Sequence, residues 1–271
     1  MTSFAKANLT SHASVGALSR PRLSPLKWNT WPILLQVLAS IGLAVAMIGI
    51  FIVVAPDTAQ TLMIQLQLAG HEGGHALATV VQLGQVHEIT LRADGSGMVA
   101  STSSDPVFTA GGGLLLPTLM AALLIISAVT RTGTDFMCLL VAIPLFWLGF
   151  EAGPEPVVRW SLWGWATFAA LTALPGIPHV LKSAGAFAIG AVLVVGIIET
   201  IDYLNEEYVT VPSEQSLAGV AEMPSDIRII ADAFNTASIA DARAIILLAM
   251  FTVGFVTACI IARFLIIYRK R

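Results

Sequence analysis

Charge is what this sequence has least of. Only 11% of its 271 residues are Asp, Glu, Lys or Arg, 56% are hydrophobic, and mean hydropathy is +0.82. A soluble domain carries roughly a quarter charged residues. The composition therefore excludes an ordinary soluble domain and indicates a polytopic membrane protein. A net charge of −3 offers no basic surface for nucleic acid. Cysteine is nearly absent too. Cys138 and Cys259 lie alone in apolar runs with no Cys-x-x-Cys spacing, so no disulfide framework is indicated. There is no internal repeat and no low-complexity block.

Acidic residues are missing before Asp57, whereas Lys6, Arg20, Arg22 and Lys27 fall within the first thirty residues. Residues 1–30 read as a basic cytoplasmic tail, and 31–54 as a first transmembrane helix, too long for the core of a cleaved signal peptide. Further apolar stretches cover about 62–83, 107–129, 136–152, 157–175, 184–204 and 242–268. The expected fold is an α-helical polytopic membrane protein with about six or seven transmembrane helices. One membrane-embedded domain spans 31–268, followed by a basic C-terminus at 269–271. Seven full spans from a cytoplasmic N-terminus would put that C-terminus outside, against the positive-inside tendency.

Two polar intervals interrupt the apolar pattern. In the first, 85–106, Ile89 and Leu91 alternate ahead of Asp94-Gly95, which predicts a small β-hairpin. The second opens with NEEYVTVPSEQ, read as a loop. It continues into an amphipathic helix over 224–240, with Ile227, Ile230, Ala231 and Phe234 on one face and Ser225 or Asp226 as N-cap. Trp147, Trp160, Trp163 and Trp165 flank a Gly-Pro-Glu-Pro turn and read as an interfacial belt.

The chemistry lies in LMIQLQLAGHEGGHALATVVQL, residues 62–83. Ionisable groups cost a few kcal/mol each inside a bilayer and mark function there. His71 and His75 are four residues apart, so on a helix they occupy one face and offer two adjacent corners to a tetrahedral Zn²⁺. Glu72 sits beside the metal's open position, where it can act as general base on water. Gly73 and Gly74 weaken the helix, which suits a close approach by another backbone.

These residues resemble the site-2-protease class of intramembrane zinc metallopeptidases, in its compact bacterial branch. The resemblance runs through HEGGHALATVVQLGQV, DGSGMV at 94–99 and AGGGLLLPTLMAALLI at 110–126. It continues through GIIETIDYL at 196–204 and SDIRIIADAF at 225–234. Departures are Gly112 where the family carries an aromatic residue, Arg159, Trp160 and Ser161 near the place of an Asn-rich stretch, and the lack of an Asp-Gly metal motif. The resemblance implies a Zn²⁺ cofactor and a membrane-embedded or membrane-adjacent protein or peptide substrate in the lipid bilayer. It implies Asp226 as third metal ligand. Asp202 is the alternative, and Glu199 shares its helix face as a second-shell candidate. The competing functional reading is a non-catalytic membrane metal-binding protein or ion transporter. With the N-terminus cytoplasmic, the hairpin is expected on the cytoplasmic face.

Overall fold

The computed structural model describes residues 32–269 except Ala152, Pro154, 213–219 and 235–237. The basic tail, the last two basic residues and part of the expected 224–240 helix lie outside the described residues. Each apolar stretch forms a helix close to its expected bounds: α1 (Ile33–Val54), α2 (Pro56–Val81), α3 (Pro106–Thr130), α4 (Thr134–Glu151), α5 (Pro156–Ala173), α6 (His179–Tyr203) and α8 (Ile239–Arg269). Of these, α1, α3, α4, α6 and α8 are long and apolar enough to cross a membrane. The 26-residue α2 and 18-residue α5 have the length but not the hydropathy. In α2 the reason is its Gln65, Gln67, His71, Glu72 and His75.

The hairpin forms as expected, with β1 (Gln85–Leu91) antiparallel to β2 (Gly97–Thr102). Its turn uses Gly95 at φ +88°, and the Asp94 carboxylate accepts from the Ser96 amide and hydroxyl at 2.9 and 2.7 Å. Those two bonds hold the Asp94 carboxyl below the usual carboxylate range. Ile89 and Leu91 are buried, and the hairpin lies along α2. Gln65 Nε2 donates to the Arg92 carbonyl at 2.7 Å near one end, and Thr79 Oγ1 to Ser101 Oγ at 3.2 Å near the other.

Two expectations need correction. NEEYVTVPSEQ is not all loop: β3 (Tyr208–Pro212) pairs antiparallel with β4 (Val220–Pro224). The β-branched alternation of Val209 and Val211 supports it, but the partner strand lies several residues on. The amphipathic helix is shorter than expected. α7 (Asp226–Ala233) ends where its apolar face of Ile227, Ile230 and Ala231 is used up, and Phe234 is exposed.

The bundle has two distinct ends. At one, Arg131 after α3 donates to Gln36 near the start of α1, Ser183 Oγ to the Ala128 carbonyl at 2.8 Å, and Lys182 Nζ to both Asp135 oxygens at 2.7 Å. At the other lie both hairpins, the start of α3, the end of α6 and α7. The start of α8 joins them, with Ala242 and Ile246 packed among Ala110, Leu114, Leu204 and Ile227. α1 and α2, joined through Ala55 alone, carry the chain across once between them. α3, α4, α5, α6 and α8 each make one further passage. Six passages result, so α1 begins and α8 finishes at the same end, opposite the hairpins. The start of α1 and the β1–β2 hairpin thus lie at opposite ends of the bundle. α2 runs obliquely past α6, meeting it at Gln67–Gly70 against Val192–Gly196 and again at His71 against Tyr203.

Small residues set the closest helix contact. A Cβ on Gly74 would lie 2.3 Å from the Gly112 carbonyl oxygen, and one on Gly112 would lie 2.7 Å from that of Gly74. Gly73 faces only Leu148, at 4.0 Å. Trp165 is no belt residue, because its indole donates to the Leu62 carbonyl at 2.7 Å inside the bundle.

Candidate metal centre

Helical spacing brings the two α2 histidines together, with His71 Nε2 and His75 Nε2 3.2 Å apart. The third member comes from α7. Asp226 Oδ2 lies 3.2 Å from each of those nitrogens, and the carboxylate is nearly buried. Among the described residues, His71, His75 and Asp226 form a group able to hold a metal ion. Asp202 stands apart, exposed on α6, and the side chain of Glu199 lies outside the described residues.

Local structure explains why Asp226 reaches this point. Ser225 caps α7 by accepting from the Arg228 amide at 3.3 Å, and its own hydroxyl donates to the Glu206 carbonyl at 2.5 Å. Its amide donates to the Glu207 carbonyl at 3.0 Å. The first turn of α7 is thus tied to the chain leaving α6. N-cap and candidate ligand are neighbouring residues, and the two roles do not compete.

The donor set fits a zinc ion. A tetrahedral Zn²⁺ at about 2.0–2.1 Å from nitrogen and carboxylate oxygen separates its donors by about 3.3 Å, close to the 3.2 Å seen for all three pairs. His75 Nδ1 lies 2.9 Å from the Thr109 carbonyl, which can only accept, so that nitrogen carries the proton. In the neutral ring Nε2 then presents a lone pair toward the other two donors, an arrangement that could hold a shared cation. A backbone acceptor on the far ring nitrogen is the usual support for a ligating histidine. Gly113 makes room for the ring, since a Cβ there would come within 2.3 Å of His75 Cε1.

Glu72 is buried at 6% exposure, yet it lines a cavity of about 630 Å³ that it shares with His71. Among the described residues nothing donates a hydrogen bond to its carboxylate. The cavity runs between α2 and α6 beneath the β1–β2 hairpin, with Glu88, Thr90, Arg92 and Met98 on the hairpin side and Pro117 of α3. On α6 its wall is Gly196, Thr200 and Tyr203.

Sequence reasoning missed Tyr203, whose hydroxyl lies 3.4 Å from Asp226 Oδ2 and whose ring stands edge-on to His71 at 5.7 Å. It also missed Gly97, which lies against Glu72. The signal for Tyr203 was present in the helical period. Gly196, Thr200 and Tyr203 share one face of α6, and Asp202 is turned about 100° away.

A family model described as Peptidase M50B-like matches residues 43–262, and the chain belongs to that family, the site-2-protease family. No curated protein and no solved structure matches the chain.

Proposed function

We propose that this protein is an intramembrane zinc endopeptidase that hydrolyses a membrane-embedded or membrane-adjacent peptide. The observation that carries the reading is the convergence of His71, His75 and Asp226 within 3.2 Å beside a buried Glu72 that opens on a cavity. A family of metallopeptidases supports it.

His71, His75 and Asp226 would hold the ion, which when bound supplies Lewis acidity and lowers the pKa of a water toward about 7. Glu72 takes the proton from the attacking water and passes it to the leaving amide nitrogen. Its place beside His71 on the cavity wall puts the carboxylate within reach of both the water and the leaving nitrogen. The β1–β2 hairpin covers the cavity and offers strand backbone to an extended segment. A substrate helix must open before its carbonyl can enter.

Glu72→Gln tests the reading directly. It is expected to abolish cleavage of a transmembrane model substrate in detergent or liposomes while retaining zinc. Zinc retention with no cleavage by the wild type on any of a panel of membrane peptides would favour the non-catalytic metal-binding reading instead.

A further inference from the structure

Hydrolysis of an amide places negative charge on the carbonyl oxygen, and a fixed hydrogen-bond donor aimed at that oxygen is among the largest single contributions to such catalysis. Several side chains with neutral donors line the cavity. Thr90 Oγ1 donates to Glu88 Oε1 at 3.1 Å, Ser96 Oγ to Asp94 Oδ1 at 2.7 Å and Thr200 Oγ1 to the Gly196 carbonyl at 2.8 Å. The Gln67 amide donates to the Val192 carbonyl at 3.3 Å. Arg92 sits at the hairpin turn beside Gln65, six residues and so about 9 Å along α2 from His71.

Tyr203 differs from all of these. Its hydroxyl is 3.4 Å from Asp226 Oδ2, beyond the 2.5–3.0 Å of an ordinary O–H···O bond, and accepts from the Asp226 amide at 3.4 Å, beyond the 2.7–3.2 Å of an N–H···O bond. The ring is nevertheless fixed, packed edge-on to His71 and against the cluster that holds Leu204 and Ile227. Tyr203 is therefore a held donor with a loosely committed proton, next to an atom that is itself 3.2 Å from both histidine nitrogens. Near the place of the family's Asn-rich stretch, Arg159 donates to the Gly153 carbonyl and Ser161 to that of Val157, and neither lines the cavity.

We propose that Tyr203 is a catalytic residue: its hydroxyl donates to the carbonyl oxygen of the peptide bond under attack as that oxygen becomes negative. The proposal rests on the endopeptidase reading. The phenol keeps its proton throughout. The new bond is from water oxygen to carbonyl carbon, the bond broken is carbon to nitrogen, and the water proton travels through Glu72 to the leaving amine.

The test compares wild type with Tyr203→Phe and Gln67→Leu, all zinc-loaded. Tyr203→Phe is expected to lower kcat roughly 100- to 1000-fold, leaving KM and zinc content near wild type. Affinity for a phosphinic peptide, whose tetrahedral oxygen mimics the charged one, should fall with kcat. Affinity of the Glu72→Gln protein for an uncleaved peptide should not change when Tyr203→Phe is added. Loss of zinc in step with activity would reduce Tyr203 to a support for Asp226 and overturn the proposal. So would unchanged phosphinate affinity in Tyr203→Phe, or a loss found in Gln67→Leu and not in Tyr203→Phe. A wild type without cleavage refutes the endopeptidase reading and with it the catalytic role of Tyr203, whereas a cleaving wild type with undiminished Tyr203→Phe activity refutes the role of Tyr203 alone.

Discussion

Gly97 of β2 lies directly over the Glu72 carboxylate: a Cβ placed there would come within 2.7 Å of Glu72 Oε1 and 2.8 Å of Leu68 Cδ1. The hairpin therefore covers the buried glutamate with bare backbone. In the Asp-Gly-Ser-Gly run one glycine serves the turn, at φ +88°, and the other this contact. Gly97→Val is expected to cut peptidase activity at least tenfold while zinc content stays at the wild-type level. Equal loss of zinc and activity would mean that the hairpin is needed for folding of the centre rather than for the place of Glu72.

The second close contact concerns a candidate ligand. Because a Cβ at Gly113 would run into the His75 ring, Gly113→Ala should push the imidazole off the Thr109 carbonyl. Disturbing the support of a metal-bound histidine typically weakens affinity about 10- to 100-fold. Competition against a chelator of known zinc affinity measures this. Gly111 has nothing within 4 Å of an added Cβ, so Gly111→Ala serves as the neutral control.

Ser225 joins the α7 cap to the chain leaving α6. Ser225→Ala removes both the cap to Arg228 and the bond to Glu206, and loss of such a cap costs about 1 kcal/mol. The expected result is lower zinc affinity with a small drop in melting temperature. Ser225→Asp keeps an acceptor for the cap but loses the donor to Glu206, and should recover only part of the affinity.

Sidedness follows from the two ends of the bundle. Arg131, Lys182 and the end of α8 at Arg269 lie at one end, where α1 begins. Glu88, Asp94, Asp105, Glu155, Glu206 and Glu207 lie at the hairpin end. By the positive-inside tendency, the first end is predicted to be cytoplasmic. Cysteine introduced at Ser104 should then react with an impermeant maleimide added outside, and cysteine at Ala17 only after permeabilisation. Both sites labelling from one face would contradict the six-passage path.

How far the sequence carries depends on the kind of signal. His71, Glu72 and His75 are legible because a four-residue spacing has one geometric meaning on a helix, and polar groups in an apolar run need a cause. The β1–β2 hairpin is legible from Asp94-Gly95 and the alternation of Ile89 and Leu91. Asp226 is legible only as an N-cap type and through family resemblance, since 151 residues separate it from His75 and nothing local draws it to them. Tyr203 was hidden because a tyrosine at the end of an apolar helix has the composition of an interfacial anchor. The path of α2 was hidden for a related reason: apolar length signals a span but says nothing of tilt, which packing of Gly70, Gly74 and Gln67 decides.

The most direct test of the account is the zinc stoichiometry of purified protein, measured for wild type, Asp226→Ala and Asp202→Ala after dialysis against a weak chelator. The geometry predicts one zinc per chain in the wild type, near-complete loss in Asp226→Ala and full retention in Asp202→Ala. Full zinc in Asp226→Ala, or its loss in Asp202→Ala, would contradict the three-donor centre of His71, His75 and Asp226.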